Sequence, residues 1–457
     1  MPLADRMRII NLTPGTGTWH CGACLRDSTL VTALRQAGHD AIIVPMYLPL
    51  VTEDSEPSVG APLFFGGINV YLQHKSRFFR HTPRWLDCLL DLPPLLRAVA
   101  RRAGMTSPGE LGALTSSMLR GEQGQQRKEL RRLSHWLATQ EKPDVICLSN
   151  ALLLGLARDL KQSVGAPLLC TLQGEDTFLD SLPEPWRTEC WALLRERAKD
   201  VDGFLPVSFY YRDVMAQRLQ LASDRLRVVY NGVACADFTP SSLPFHPPVI
   251  GFFARMCRAK GLETLIEAFI LIKQEGQCPG AKLHVGGTQT AEDTVFVQRL
   301  QQRLHQHGLL GDVLFFPNLD RAAKREFFQK LTVLSVPATY GESFGLYVIE
   351  ALAAGVPVVQ PRRGAFPEIL EATGGGLLCE PDDPRSLAEG IVHLLRHPDE
   401  ARVMGGWGRR VVQERFTAER MAAEFLSVAS MVRGQESPPD GQAMCGGGSL
   451  LGKADCG

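Results

Sequence analysis

At 457 residues the chain is too long for one compact core, so two domains are the default expectation. Its 49 basic and 49 acidic residues cancel, which argues against a general nucleic-acid binder, and its 45% apolar share is ordinary for a soluble globular protein. The longest apolar runs, such as 151–157 and 351–359, are too short or too interrupted to span a bilayer, and residues 1–11 do not read as a signal peptide.

In chain order, residues 7–12 read as a strand, 27–37 as a helix closed by Gly38, and 40–45 as the next strand. A basic insertion follows at about 76–140, in which Arg77, Arg80, Arg84, Arg131 and Arg132 are interleaved with Phe78, Phe79 and Trp85. Such a segment could make a weak peripheral contact with an anionic membrane or hold an anionic acceptor. The plainer reading is a solvated helical face whose arginines pair with Glu110, Glu122 and Glu129. Strand-like runs resume at 144–148, 167–172, 203–207 and 227–230, and the proline-rich stretch from Asn231 to Pro248 reads as a linker. A second alternating series occupies 249–253, 282–286, 313–316, 332–336 and 356–360. Helical residues 399–432 precede a Gly- and Pro-rich tail, 434–457, that lacks apolar periodicity and reads as disordered.

This alternation implies an α/β protein of two doubly wound domains, one over about 1–238 and one over about 247–415, with ligands beyond the carboxyl ends of the strands. Twelve scattered cysteines, several inside apolar runs, fit a reducing cytoplasm. Cys21-Gly22-Ala23-Cys24 has redox or metal spacing, but no second pair completes a zinc site.

The most informative stretch is Gly341-Glu342-Ser343-Phe344-Gly345-Leu346-Tyr347-Val348-Ile349-Glu350. A loop ending in glycine opens an apolar helix, whose first N–H groups and positive dipole end suit a phosphate. Glu342 before the helix and Glu350 inside it suit hydroxyls at opposite ends of one elongated ligand. Upstream, Gly251-Phe252-Phe253-Ala254-Arg255 ends a strand, and Lys260-Gly261 opens a helix. Arg255 can clasp a diphosphate through two hydrogen bonds, and Lys260 can meet it as a point charge. Neither motif contains an Asp-x-Asp element to hold a divalent ion between diphosphate oxygens, so no metal and no cofactor is expected.

These two motifs, with Ala354-Gly355-Val356-Pro357-Val358 after the second, resemble the donor-site signature of the retaining glycosyltransferases of family 4. The resemblance implies the GT-B architecture, two Rossmann-like domains across a cleft, with the acceptor on the first, the donor on the second and a last helix (416–433) crossing back. It implies that Arg255 and Lys260 contact the diphosphate, Glu342 the donor sugar and Glu350 the ribose. Ser343 and the amides of Phe344, Gly345 and Leu346 would meet the distal phosphate, and the base would lie near Phe316-Pro317-Asn318.

In the first domain, Gly15-Thr16-Gly17 follows the first strand, but a dinucleotide fingerprint fails because residue 20 is His20. The loop instead resembles the family's glycine-rich first loop, with Gly17 and Gly22 as candidates. Where many members place a histidine, this chain has Gln173-Gly174-Glu175-Asp176. Gln173 could hydrogen-bond a sugar hydroxyl, and Glu175 or Asp176 could accept the acceptor proton or simply cap the helix that follows. The expected activity is metal-independent, retaining transfer of a sugar from a UDP- or GDP-type donor to a carbohydrate, lipid-linked or small hydroxyl acceptor. It would take place in the cytoplasm or at the inner face of the membrane. The alternatives are a nucleotide-sugar epimerase and a non-catalytic nucleotide-sugar-binding protein.

Overall fold

The computed structural model describes residues 6–15, 22–47, 64–65 and 108–434. Gly17, Cys21, the basic segment up to residue 107 and the tail beyond Gly434 lie outside the described residues.

The first domain contains β1 (Arg8–Thr13), α1 (Gly22–Gln36), β2 (Asp40–Pro45), α2 (Pro108–Leu119), α3 (Arg127–Thr139), β3 (Val145–Leu148), α4 (Ala157–Val164) and β4 (Leu168–Leu172). It continues through α5 (Glu175–Ser181), α6 (Trp186–Arg197), β5 (Gly203–Pro206) and α7 (Phe209–Leu219). Its strands form a parallel sheet in the order β2-β1-β3-β4-β5. Every residue of β3 and β4 is buried, as expected when helices cover both faces of a sheet.

The second domain runs through β6 (Val249–Phe253), α8 (Leu262–Gln274), β7 (Lys282–Gly287), α9 (Thr294–Gln306), β8 (Val313–Pro317), α10 (Arg321–Gln329) and β9 (Val333–Leu334). Then come α11 (Leu346–Ala353), β10 (Val358–Pro361), α12 (Phe366–Thr373), β11 (Gly376–Cys379), α13 (Pro384–Arg396) and α14 (Pro398–Arg415). The order β11-β10-β9-β6-β7-β8 is again parallel. The last helix, α15 (Ala418–Gly434), lies in the core of the first domain, where Met421, Phe425, Val428 and Val432 join Met7, Leu30 and Ile43. The crossing is pinned on both sides of Thr417: Val233 N donates to Phe416 O and Ala418 N to Val233 O, each at 3.0 Å.

Three expectations change. Residues 227–230 run beside β5, with Arg227 N bonded to Phe204 O and Val229 N to Pro206 O at 3.0 Å each, but they form no named strand. Pro206 has no N–H to return such a bond. The edge strand β11 was not expected, because its four residues are too short to show a period. Helix α1 starts at Gly22 rather than at residue 27, which brings its amino end to the cleft.

Candidate active site

Strands β6 and β9 are neighbours, with Gly251 opposite Leu334, so the loops leaving their carboxyl ends emerge side by side. That pairing joins Lys260 to Glu342 across 82 residues of chain. The Lys260 ammonium contacts Glu342 Oε2 and donates to Tyr340 Oη at 2.5 Å, while Tyr347 Oη donates to the same carboxylate oxygen at 2.9 Å. Burial alone would push the Glu342 carboxyl up, but the Lys260 charge and the tyrosine hydroxyls outweigh it and hold the group below the usual glutamate range. Burial likewise works against the Lys260 charge, and Glu342 overcomes it, so the lysine stays protonated well above its ordinary range.

Glu350, the fifth residue of α11, is a second buried carboxylate with its own lysine: Lys324 Nζ on α10 donates to its Oε1 at 2.5 Å. Arg255 is tethered by one edge, its Nε donating to Asp293 Oδ2 at 3.0 Å, and this contact raises the guanidinium pKa further. Asp293 is itself anchored by the amide and hydroxyl of Thr290.

Helix α11 begins after Gly345, whose φ of 88° lies in the left-handed region, and a Cβ there would meet the Phe366 ring at 3.0 Å. The amides of Leu346 and Tyr347 have no carbonyl four residues back within the helix, so they remain available at its positive end. Helix α1 starts opposite, with a Cβ on Gly22 falling 3.8 Å from Leu346 Cδ1. Two helix starts, the two lysine–glutamate pairs and Arg255 thus share one cleft of about 380 Å³ between the domains, within the range of small-ligand sites.

The loop before α11 is bonded to the first domain. Ser208 Oγ donates to Ser343 O at 2.7 Å, and Ser343 Oγ donates to Gln173 O at 3.1 Å. From α12, Glu368 accepts from Phe209 N and Tyr210 N at 2.9 Å each and from Tyr230 Oη at 2.7 Å, capping α7 across the domain boundary. Gly364, φ 63°, lets the chain before α12 pass against the Glu342 backbone, where a Cβ would sit 2.5 Å from Glu342 N. Ala365 N then donates to Glu342 O at 2.9 Å.

On the first-domain wall, Gln173 lines the cleft, and its amide donates to Ser149 O at 2.5 Å. Glu175 and Asp176 do not line it. Glu175 is buried, with Oε1 accepting from Ala151 N at 2.8 Å and Oε2 from Gln173 N at 2.9 Å, Gly174 N at 3.0 Å and Tyr211 Oη at 2.9 Å. This carboxylate organises the turn after β4 and is not placed to take a proton from a cleft-bound hydroxyl. Asp176, half-buried, receives Tyr211 Oη at 2.9 Å and belongs to the same turn. Pro317 is exposed and off the cleft wall. Beside it, Asn318 pairs with the backbone of Gln289 at 3.1 Å in both directions, tying the ends of β7 and β8, and Leu319 and Asp320 line the cleft instead. Of the CxxC pair, Cys24 is buried on α1.

Tyr340, Tyr347, Lys324 and Asp293 were not singled out from the sequence, where Glu368 reads as a supporting or helix-start residue with no catalytic role. Of the named cations and carboxylates, Arg255, Lys260, Glu342 and Glu350 converge on the cleft, and Glu175 and Asp176 do not. The model for glycosyl transferases group 1 matches residues 237–411, and that for glycosyltransferase family 4 matches residues 115–237. The chain belongs to the family 4 glycosyltransferases. A D-inositol 3-phosphate glycosyltransferase of Xylanimonas cellulosilytica is 26% identical over 79% of this chain and 91% of its own length. An N-acetyl-alpha-D-glucosaminyl L-malate synthase of Bacillus anthracis is 30% identical over 37% of this chain and 42% of its own length. The family 4 chain also shares the GT-B fold of solved structures. Sucrose-phosphate synthase from Thermosynechococcus elongatus has a TM-score of 0.70 at 20% identity, covering 93% of this chain and 99% of that one. Anabaena HepE, solved with UDP-glucose, gives 0.67 at 16% identity, covering 93% and 100%. No helix among the described residues is long and apolar enough to cross a membrane.

Proposed function

We propose that this glycosyltransferase moves a sugar from a nucleoside-diphosphate sugar, of the UDP class, to a hydroxyl acceptor, with retention and without a metal ion. The observation that carries this reading is the cleft in which Lys260–Glu342, Lys324–Glu350 and Arg255 surround the start of α11. Arg255, Lys260 and the amides at 344–346 would receive the diphosphate; Glu350 would accept from the ribose hydroxyls and Glu342 from the sugar hydroxyls. Fixed cations and amides aimed at a departing diphosphate supply the electrostatic stabilisation that a metal would otherwise provide. In the transfer step the bond from the anomeric carbon to the diphosphate oxygen breaks, and the acceptor oxygen bonds to that carbon from the same face. The acceptor proton passes to the departing diphosphate oxygen. This route requires no protein base, in keeping with the inward-turned Glu175.

The names of the relatives support the substrate classes: UDP-glucose is bound in one neighbour, and inositol 3-phosphate and L-malate name the acceptors of two relatives. Both acceptors carry a hydroxyl and an anionic group, and an acceptor of that kind is the first to try here. The test is a panel of UDP- and GDP-sugars, with EDTA present, read by thermal stabilisation and by release of free nucleoside diphosphate. A donor is expected to stabilise the parent and not Glu350→Ala. If no donor binds and the variant melts like the parent in every mixture, the reading is wrong. Conversion of the donor to an isomer, with no diphosphate released, would favour an epimerase.

A further inference from the structure

We propose that the junction of α13 and α14 holds a zinc-class divalent ion on His393, His397 and Glu400, a site separate from the cleft. His393 lies in the last turn of α13, His397 between the helices and Glu400 in the first turn of α14. Pro398 opens α14 where its missing N–H costs nothing, so the two helices meet with one intervening residue. One ligand atom from each of the three side chains lies within 4.8 Å of the other two.

The hydrogen bonding suits an ion. His393 Nε2 is 2.9 Å from Glu400 Oε2, so these two groups already converge. His397 Nδ1 is 2.7 Å from the His393 carbonyl oxygen. A proton on Nδ1 donated to that carbonyl leaves the lone pair on Nε2, the arrangement by which backbone groups orient imidazole ligands. The two rings are 4.4 Å apart between centroids and tilted by 32°. Bonds of about 2.0–2.2 Å in a tetrahedral set separate ligand atoms by roughly 3.3–3.6 Å, so closing this set takes about an ångström of side-chain rotation. The His393 and Glu400 side chains are 43% and 46% exposed, so that rotation disturbs no packing. Two imidazoles and one carboxylate select zinc-like ions over magnesium or calcium, which prefer all-oxygen sets.

The position has a consequence for the fold. Helix α14 backs the donor helix: a Cβ on Gly405 would lie 2.1 Å from Gly355 O, and Arg409 Nη1 donates to Ala353 O and to Phe238 O. An ion at the start of α14 would fasten the element that supports the carboxyl end of α11.

Zinc is counted by equilibrium dialysis of the full chain against zinc chloride, in the parent and in the double variant His393→Ala/His397→Ala. Cysteines elsewhere can bind zinc equally in both proteins, so the difference between them is the readout. The parent is expected to hold one equivalent more than the double variant, Glu400→Gln to hold it more weakly, and magnesium chloride to give no difference. Unchanged circular dichroism shows that the exposed substitutions leave the fold intact. Equal zinc stoichiometry in parent and double variant overturns the proposal.

Discussion

Glu342 and Glu175 are both buried glutamates, one on each wall of the interdomain region, and their carboxyl pKa values move in opposite directions. Glu342 faces a lysine ammonium, which outweighs desolvation and lowers its pKa. Glu175 faces three N–H groups and a phenol; burial dominates these dipoles and raises its pKa. A buried carboxylate with a full counter-charge stays ionised and can accept ligand hydroxyls. One held only by dipoles serves the turn that holds it. The second-domain wall is therefore charged and open to the cleft, whereas Glu175, on the first-domain side, is turned inward and serves its turn.

The sharpest way to break this contrast is to remove the counter-charge. Lys260→Met leaves the Glu342 carboxylate buried without its cation, a loss of about 3–5 kcal/mol for pairs of this kind. Both stability and donor affinity are expected to fall, the latter by more than about a hundredfold on the usual worth of a desolvated phosphate contact. The proton linkage has a definite sign. Because folding lowers the Glu342 pKa, its contribution is complete above the ordinary glutamate value of 4.5 and is lost as the pH falls through the lower folded value. The gap in thermal midpoint between the parent and Glu342→Gln should therefore narrow in acid. A gap that widened there would mean the pair is not ionic.

A smaller effect is expected at the clasp between the walls. Glu368→Gln keeps the shape of the side chain but turns an amide N–H₂ toward the α7 amides, one of which loses its acceptor. Since the same α12 segment bonds the Glu342 carbonyl, loosening the clasp should lower turnover about tenfold while donor affinity changes little. Rate and donor dissociation constant, measured together with Glu368→Asp as the conservative variant, check this. A loss confined to affinity would place Glu368 in donor binding instead.

What the sequence made legible follows from these distances along the chain. Glu342, Gly345 and Glu350 fall within one loop and one helix, and Arg255 and Lys260 follow a single strand, so local spacing carries them. The alternation of strands and helices gave the doubly wound architecture for the same reason. Lys324 and Asp293 reach their partners only through the sheet order β9-β6-β7-β8, which no local period encodes. Glu368 reads as a helix-start acid because it is one; the helix it caps lies 159 residues away in the other domain. Glu175 and Asp176 misled by their place at a strand end, where a carboxylate turned inward looks the same in sequence as one turned to the cleft.

The smallest expected effect on donor binding tests that last distinction. In Glu175→Gln the side-chain oxygen can still accept from Gln173 N, Gly174 N and Tyr211 Oη, but its N–H₂ then meets Ala151 N–H, leaving a buried donor unpaired at about 1–3 kcal/mol. The thermal midpoint should drop by a few degrees, with donor affinity unchanged within about twofold. Here the linkage runs the other way: folding raises the Glu175 pKa, so its contribution is complete below 4.5 and is lost as the pH rises through the higher folded value. The glutamine, which cannot ionise, should therefore compare less unfavourably with the parent near neutrality than in acid. If Glu175 were the proton acceptor, turnover would collapse while the melting curve stayed where it was. Asp176→Asn, at a half-buried site with one phenol partner, should shift either quantity less than Glu175→Gln does. A collapse of turnover in either variant would return a base to the first-domain wall and dissolve the contrast between the two glutamates.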